Sequence, residues 1–152
     1  MPKREIAFFV IDMLIALETI QRKTKNLSTP NELLENEDAW FAVTRGLEIV
    51  GEAMKYIMAS YALGHLRKSS WQDIVSLRNI VAHEYFGIDV DQIFDIAKND
   101  VPELEQELMD LVKQYPDQTS IKLAIEQAII DMKKAKRHHS VEYLGNLHSL
   151  LK

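Results

Sequence analysis

Apolar residues recur at every third or fourth position along most of this chain, and that spacing commits it to helices. Ile6, Phe9, Val10, Met13, Leu17 and Ile20 form one stripe, which predicts a helix from Arg4 to about Lys25. Trp40, Val43, Leu47, Val50, Met54, Ile57 and Tyr61 form a second, predicting a helix from about Glu37 to Tyr61. The span from Asn26 to Asn36 reads as a connection in which Thr29-Pro30 is a cap followed by a first-turn proline. A third helix opens at Ser70, with Asp73 completing a capping-box pattern, and carries Ile74, Leu77 and Val81 inward. Gly87 closes it.

Asp89, with Gln92 three residues on, opens a fourth helix bearing Ile93, Ile96, Leu104, Leu108, Leu111 and Val112. Pro102 lies inside that pattern. Its missing donor and its ring predict a kink or restart near Asp100, which is placed to cap the new segment. Ser120 is expected to cap a further helix with Ile121, Ile125, Ala128, Ile129 and Met132 on one face. A last short helix should run from Val141 to Leu151. The expected fold is therefore all-α: an up-and-down four-helix bundle over residues 1–116, with a helical C-terminal extension over 117–152. So much apolar surface in the extension predicts that it packs on the bundle or on a partner subunit.

The 152 residues suit one domain with a real core, and 47% hydrophobic with 27% charged residues is an ordinary globular composition. No apolar run is long enough to span a bilayer. Glu5, Asp12 and Glu18 in the opening segment do not read as a signal peptide, and a cytoplasmic location is expected. The absence of cysteine excludes disulfides, thiolate metal sites and a cysteine nucleophile. A net charge of −5 argues against broad coating of nucleic acid but leaves room for a local basic cleft.

Chemistry concentrates in Arg78-Asn79-Ile80-Val81-Ala82-His83-Glu84-Tyr85-Phe86-Gly87. On a helix, Asn79 and His83 share one face, and Arg78, Ala82 and Tyr85 line the neighbouring strip. Arg78 and His83 are separated by about 140° and roughly 7.5 Å of rise, a gap that a long guanidinium can close. The pair offers a cation for a phosphate beside a titratable group. A helix C-terminus favours protonated imidazole by about 0.3–1 kcal/mol. Either residue alone would be an ordinary ion-pair or surface residue; the combination is far more specific.

This decapeptide, in an all-helical chain of this size, resembles the signature of the HEPN superfamily. The HepT-like branch, with Arg, four residues, His, one residue and Tyr, is the best match. The likeness extends upstream to Arg45-Gly46-Leu47-Glu48-Ile49-Val50-Gly51-Glu52-Ala53 and downstream to Lys98-Asn99-Asp100-Val101-Pro102-Glu103-Leu104, covering roughly residues 3–115. The resemblance implies a dimeric, metal-independent endoribonuclease that serves as a toxin, with RNA as substrate. It also implies a cognate minimal nucleotidyltransferase as antitoxin, which would transfer AMP to the Tyr85 hydroxyl and so block the RNA site. Arg78 and His83 would be catalytic and Asn79 supporting.

Metal-free RNA cleavage needs a base for the 2′-hydroxyl proton, an acid for the leaving oxygen and a cation for the phosphorane. One chain supplies one motif histidine, so a homodimer that brings two motif helices together would complete the set. No Asp/Glu/His cluster has ligand spacing such as His-Glu-x-x-His, and His138 and His139 diverge on a helix, so neither a metal nor a cofactor is expected. The lack of a glycine-rich phosphate loop argues against the chain itself being a nucleotidyltransferase or a kinase.

Other features keep two readings. Arg45, Glu48 and Glu52 make a polar stripe that is either a solvated face with local ion pairs or the lining of a cleft or dimer seam. Gly46 and Gly51, each costing about 1 kcal/mol inside a helix, suggest close approach of another helix or a ligand. Lys133-Lys134-Ala135-Lys136-Arg137-His138-His139 is either a solvated helix end or a tract that follows RNA. A rival to the enzyme reading is a non-catalytic helical subunit whose Arg78 and His83 hold a nucleotide or a nucleotidyltransferase partner.

Overall fold

The stripes form helices, and the first of them becomes the axis of the molecule. The computed structural model describes residues 5–60, 63–66, 68, 70–77, 81 and 89–151, and the backbone alone of 61 and 62. Helix α1 spans Ile6–Thr24. Short α2, Pro30–Glu35, precedes the long α3, Glu37–Met58. A 3-10 turn at Tyr61–Leu66 leads to α4, Trp71–Val75. The chain resumes with α5, Val90–Asp95, and passes through a π-helical segment, Ile96–Asp100, into α6, Val101–Gln114. Helices α7, Gln118–Lys134, and α8, His138–Ser149, complete an all-α bundle. Among the described residues no helix is long and apolar enough to cross a membrane.

Helix α1 packs against α3 along its length and also touches α6, α7 and α8. That explains why its buried set exceeds the expected stripe. Ala7, Ile11, Leu14 and Ala16 join Val10, Met13, Leu17 and Ile20 in the core. Ile121, Ala124 and Ile125 of α7, Leu144 and Leu147 of α8, and Leu151 belong to the same apolar cluster. Each buried Val, Ile, Leu or Met among them contributes about 1.5–3 kcal/mol on burial. Gly46 supplies the close approach of α1 and α3: a Cβ built there would lie 2.8 Å from both Cγ1 and Cδ1 of Ile20.

The helix ends show which polar groups win. Thr29 Oγ1 accepts from the Glu32 N–H at 3.2 Å, as its place before Pro30 suggests, but a helical turn follows where only a connection was expected. Asn36 Oδ1 caps α3 by accepting from the Ala39 N–H at 3.0 Å, and Asp89 caps α5 through the Gln92 N–H at 3.1 Å. Ser70 stands at the start of α4 but caps nothing with its side chain. Its αR backbone, with φ −67° and ψ −17°, lacks the extended geometry a cap uses. Helix α3 stops at Met58, short of Tyr61, and Gly64 sits within the 3-10 turn that follows. Asp117 starts α7, three residues before Ser120. Its carboxylate accepts from the Ser120 N–H at 3.0 Å and from the Ser120 hydroxyl at 2.7 Å. These bonds hold the Asp117 carboxyl below its ordinary range.

Pro102 perturbs its helix as expected, but the outcome is a π segment, with the Val101 N–H reaching back to the Ile96 carbonyl. Asp100 makes no side-chain cap there. Burial, with Asp95 and Glu103 nearby, raises its carboxyl pKa. Lys98, in that segment, donates to the Thr24 carbonyl at 2.6 Å and lays its cation at the C-terminus of α1. Tyr143 ties α8 to α6 by donating to Glu105 at 2.9 Å, and burial with that carboxylate pushes its phenol far above the usual range.

The basic run does not form one helix end. Lys133 and Lys134 finish α7, while His138 and His139 open α8. Between them the Arg137 N–H bonds to the Met132 carbonyl at 2.9 Å and the Lys136 N–H to the Lys133 carbonyl at 3.1 Å, the paired bonds of a Schellman turn. Lys136 occupies the left-handed position of that turn, with φ 58°, where an L side chain costs about 1–2 kcal/mol and glycine is usual.

Gly46→Val is expected to force α1 and α3 apart at Ile20 and to destabilise the fold by about 1–3 kcal/mol. Thermal unfolding would then move down by roughly 3–10 °C; an unchanged midpoint would show that the helices do not meet at this glycine.

Candidate functional site

The helix that introduces the Arg78–Gly87 stretch is seated on α3. Trp71, Leu77 and Val81 are buried in the common core, and Ile74 and Val75 are half-buried against it. Arg78, Asn79, His83, Tyr85 and Gly87 lie outside the described residues. The inner face expected for this helix is thus visible at Leu77 and Val81, which flank the first half of the motif in the chain.

Trp71 also links the start of this helix to α6. Burial raises the Glu107 carboxyl pKa, helped by Glu103 and Asp110, while the Trp71 indole and the Lys68 cation act the other way. The indole N–H lies near that carboxylate without the geometry of a full hydrogen bond. Burial therefore outweighs the two favourable neighbours, and the ionised Glu107 is the less comfortable form.

The polar stripe of α3 lines a cavity of about 270 Å³ between α1 and α3. Arg45, Glu48 and Glu52 form it together with Phe9, Asp12, Ile49 and Ala53. Arg45 Nη1 stands 3.3 Å from Glu48 Oε2, with the two side chains 70% and 37% exposed. An ion pair so open to solvent is worth only a few tenths of a kcal/mol. The guanidinium is therefore held loosely and can exchange Glu48 for another anion at little cost. Phe9, which lines this cavity, stacks on Tyr56 with centroids 4.5 Å apart and planes 9° off parallel.

Beyond Arg45 a wider groove of about 940 Å³ runs between α1, α3 and the turn joining α7 to α8. Asp12, Arg45 and Ile49 border both spaces. The larger groove takes in Lys23, Phe41, Lys136 and Arg137, which come from three separate elements. Of its features the basic run, Arg45 and Gly46 were visible as local signals in the sequence; Lys23 and Phe41 are single exposed residues that acquire meaning by juxtaposition. Among the described residues no group of three or more His, Asp and Glu side chains is arranged to hold a metal ion.

Comparison with known proteins adds a family to this geometry. The model of a family described as ribonuclease HepT-like matches residues 13–111. The chain is similar to "Putative RNase MJ1380" of Methanocaldococcus jannaschii, with 37% identity over 108 residues, 71% of this chain and 97% of that protein. It is also similar to "Putative RNase MJ1216" of the same organism, 32% identical over 115 residues, 74% of this chain and 92% of that one. "Probable ribonuclease HepT" of Thermococcus cleftensis is 32% identical over 103 residues, 68% of this chain and 92% of that protein. No solved structure matches the chain significantly.

The raised Glu107 pKa gives a pH signature. A carboxyl raised in the folded state costs stability above that pKa, and the cost disappears as pH falls through it toward the ordinary value of 4.5. Glu107→Gln is thus expected to raise the melting temperature at pH 7, with the gain shrinking toward pH 4. Melting curves at the two pH values check it; a variant less stable at pH 7 would mean that Lys68 and Trp71 outweigh burial.

Proposed function

Because the chain belongs to the HepT-like ribonuclease family of the HEPN superfamily, we propose that it is a metal-independent endoribonuclease acting as the toxin of a toxin–antitoxin pair. The observation that carries this reading is the spacing Arg78, four residues, His83, one residue, Tyr85, inside the matched span of residues 13–111. The ribonuclease names of the similar proteins support it.

In the proposed reaction the 2′-hydroxyl of one nucleotide attacks its own 3′-phosphate. Its proton passes to a histidine base, and the bond to the 5′-oxygen of the next nucleotide breaks as an acid protonates that oxygen. The products are a 2′,3′-cyclic phosphate and a free 5′-hydroxyl. Arg78 grips the phosphate and offsets charge on the phosphorane. His83 carries out proton transfer, and Asn79 orients it. Two proton transfers against one motif histidine per chain favour a two-fold homodimer with the motif helices facing one another. Arg45, Glu48 and Glu52 would line the approach to that cleft.

Regulation follows from Tyr85, in this proposal the hydroxyl that a partner minimal nucleotidyltransferase modifies with AMP. The added phosphate would engage the arginine that otherwise meets RNA, and the nucleotide would fill the cleft.

Purified protein is expected to degrade RNA in the presence of EDTA. His83→Ala and Arg78→Ala should each lower the rate by about 10²–10⁴-fold without loss of helix content. A His83→Ala protein as active and as toxic as the parent would overturn the catalytic assignment, and RNA left intact by the parent would favour a non-catalytic nucleotide-binding subunit. Sedimentation should show a dimer at micromolar concentration. Full activity from a protein that sediments only as a monomer would remove the argument for a shared cleft.

A further inference from the structure

We propose that the groove between α1, α3 and the α7–α8 turn is a binding tract for single-stranded RNA, with one wall supplied by the C-terminal helices. The proposal rests on the ribonuclease reading for the identity of the polyanion, and on the groove's own composition for the rest.

The groove collects positive charge in a chain whose net charge is −5. Arg22 and Lys23 reach it from α1, Arg45 from α3, and Lys136 and Arg137 from the turn, against Asp12 as the one acid of its lining among the described residues. Arg22 is engaged by Glu18 at 2.9 Å. The side chains of Lys23, Lys136 and Arg137 enter no ion pair among the described residues. Cations gathered from three elements and left without carboxylate partners repel one another, and a phosphodiester backbone is a ligand that relieves the repulsion.

Two further observations favour a nucleic-acid strand over a simple anion. Phe41 lies in the same groove with 63% of its surface exposed. An aromatic face beside a row of cations is the pattern on which unpaired bases stack while phosphates are held alongside. Lys136 holds a strained left-handed position, φ 58°, where glycine would relieve the backbone. Strain of this kind gathers at functional sites, and here it keeps an ammonium group at the rim of the groove. His138 and His139 line the same wall and offer further donors to a phosphate. Because α7 and α8 lie beyond the family match, which ends at residue 111, the wall they supply lies outside the matched span, while α1 and α3 supply the rest of the lining.

The test measures binding of a labelled, 2′-O-methylated oligouridylate, which lacks the attacking hydroxyl and so reports binding apart from cleavage. Phe41→Ala should weaken binding about 5- to 100-fold with the salt dependence unchanged, since a stacked base carries no charge. Lys136→Gly with Arg137→Ala should weaken binding and flatten the plot of log K against log salt by about 0.7 per lost phosphate contact. Lys136→Gly alone should raise the melting temperature while lowering affinity, a combination that a misfolded variant cannot give. Parent-like binding by all three variants, or no binding by the parent at low salt, overturns the tract. So does a salt-dependent self-association abolished by these substitutions while oligonucleotide binding stays at parent level. If the parent binds the methylated strand and cleaves no RNA, the catalytic reading fails and the tract stands.

Discussion

The architecture depends on the burial of α1 from more than one side. A surface helix needs one apolar stripe, but Ile11 and Leu14 are as buried as Val10 and Leu17, so this helix must be enclosed rather than merely covered. Helix α3 supplies one wall, made close by the missing Cβ of Gly46, while α6, α7 and α8 supply others. The C-terminus of α1 is fixed as well. The Thr24 hydroxyl turns back to the Ile20 carbonyl at 2.9 Å, and the Lys98 ammonium takes the Thr24 carbonyl. With α1 immobile, Phe9 and Asp12 on one flank and Lys23 farther along become fixed parts of two neighbouring cavities.

Arg45 is the boundary between those cavities. On one side it meets Glu48, with Glu52 and Asp12 nearby; on the other it joins Lys23, Lys136 and Arg137. A loosely paired guanidinium at such a border makes the two spaces electrostatically dependent on each other. An anion arriving from the basic side competes with Glu48 for the same cation, in an exposed setting where neither contact is strong.

What could be read from the sequence was what is local. The stripes of α1 and α3, the Thr29-Pro30 cap and the Asp89 cap depend on residues within a few positions, and all are present. Competition between neighbours was harder to judge. Asp117 and Ser120 are both good caps, and the outcome turned on the Ser120 hydroxyl serving as a donor to Asp117. Pro102 announced a disturbance but not its form, because whether a helix kinks or widens depends on what its far side packs against. Long-range juxtaposition was invisible. The second buried face of α1 makes sense only once Ile121 and Ile125 are placed against it, and Phe41 and Lys23 carried no signal until the α7–α8 turn stood beside them. For the site, Arg45, Glu48 and Glu52 were legible as a stripe by their spacing, while the stack of Phe9 on Tyr56 was not.

The Tyr143–Glu105 bond and the apolar cover from α7 and α8 bear on the order in which the molecule is made. Helix α1 leaves the ribosome before α7 and α8, yet part of its enclosure comes from them. During translation part of its apolar surface must wait, covered by α3 and α6, until α8 emerges and the Tyr143 hydroxyl finds Glu105 on α6. A nascent chain that stalls within α7 lacks the turn bearing Lys136 and Arg137. Docking of these late helices and completion of the basic wall are therefore linked, and a product truncated within α7 is left with an incomplete groove.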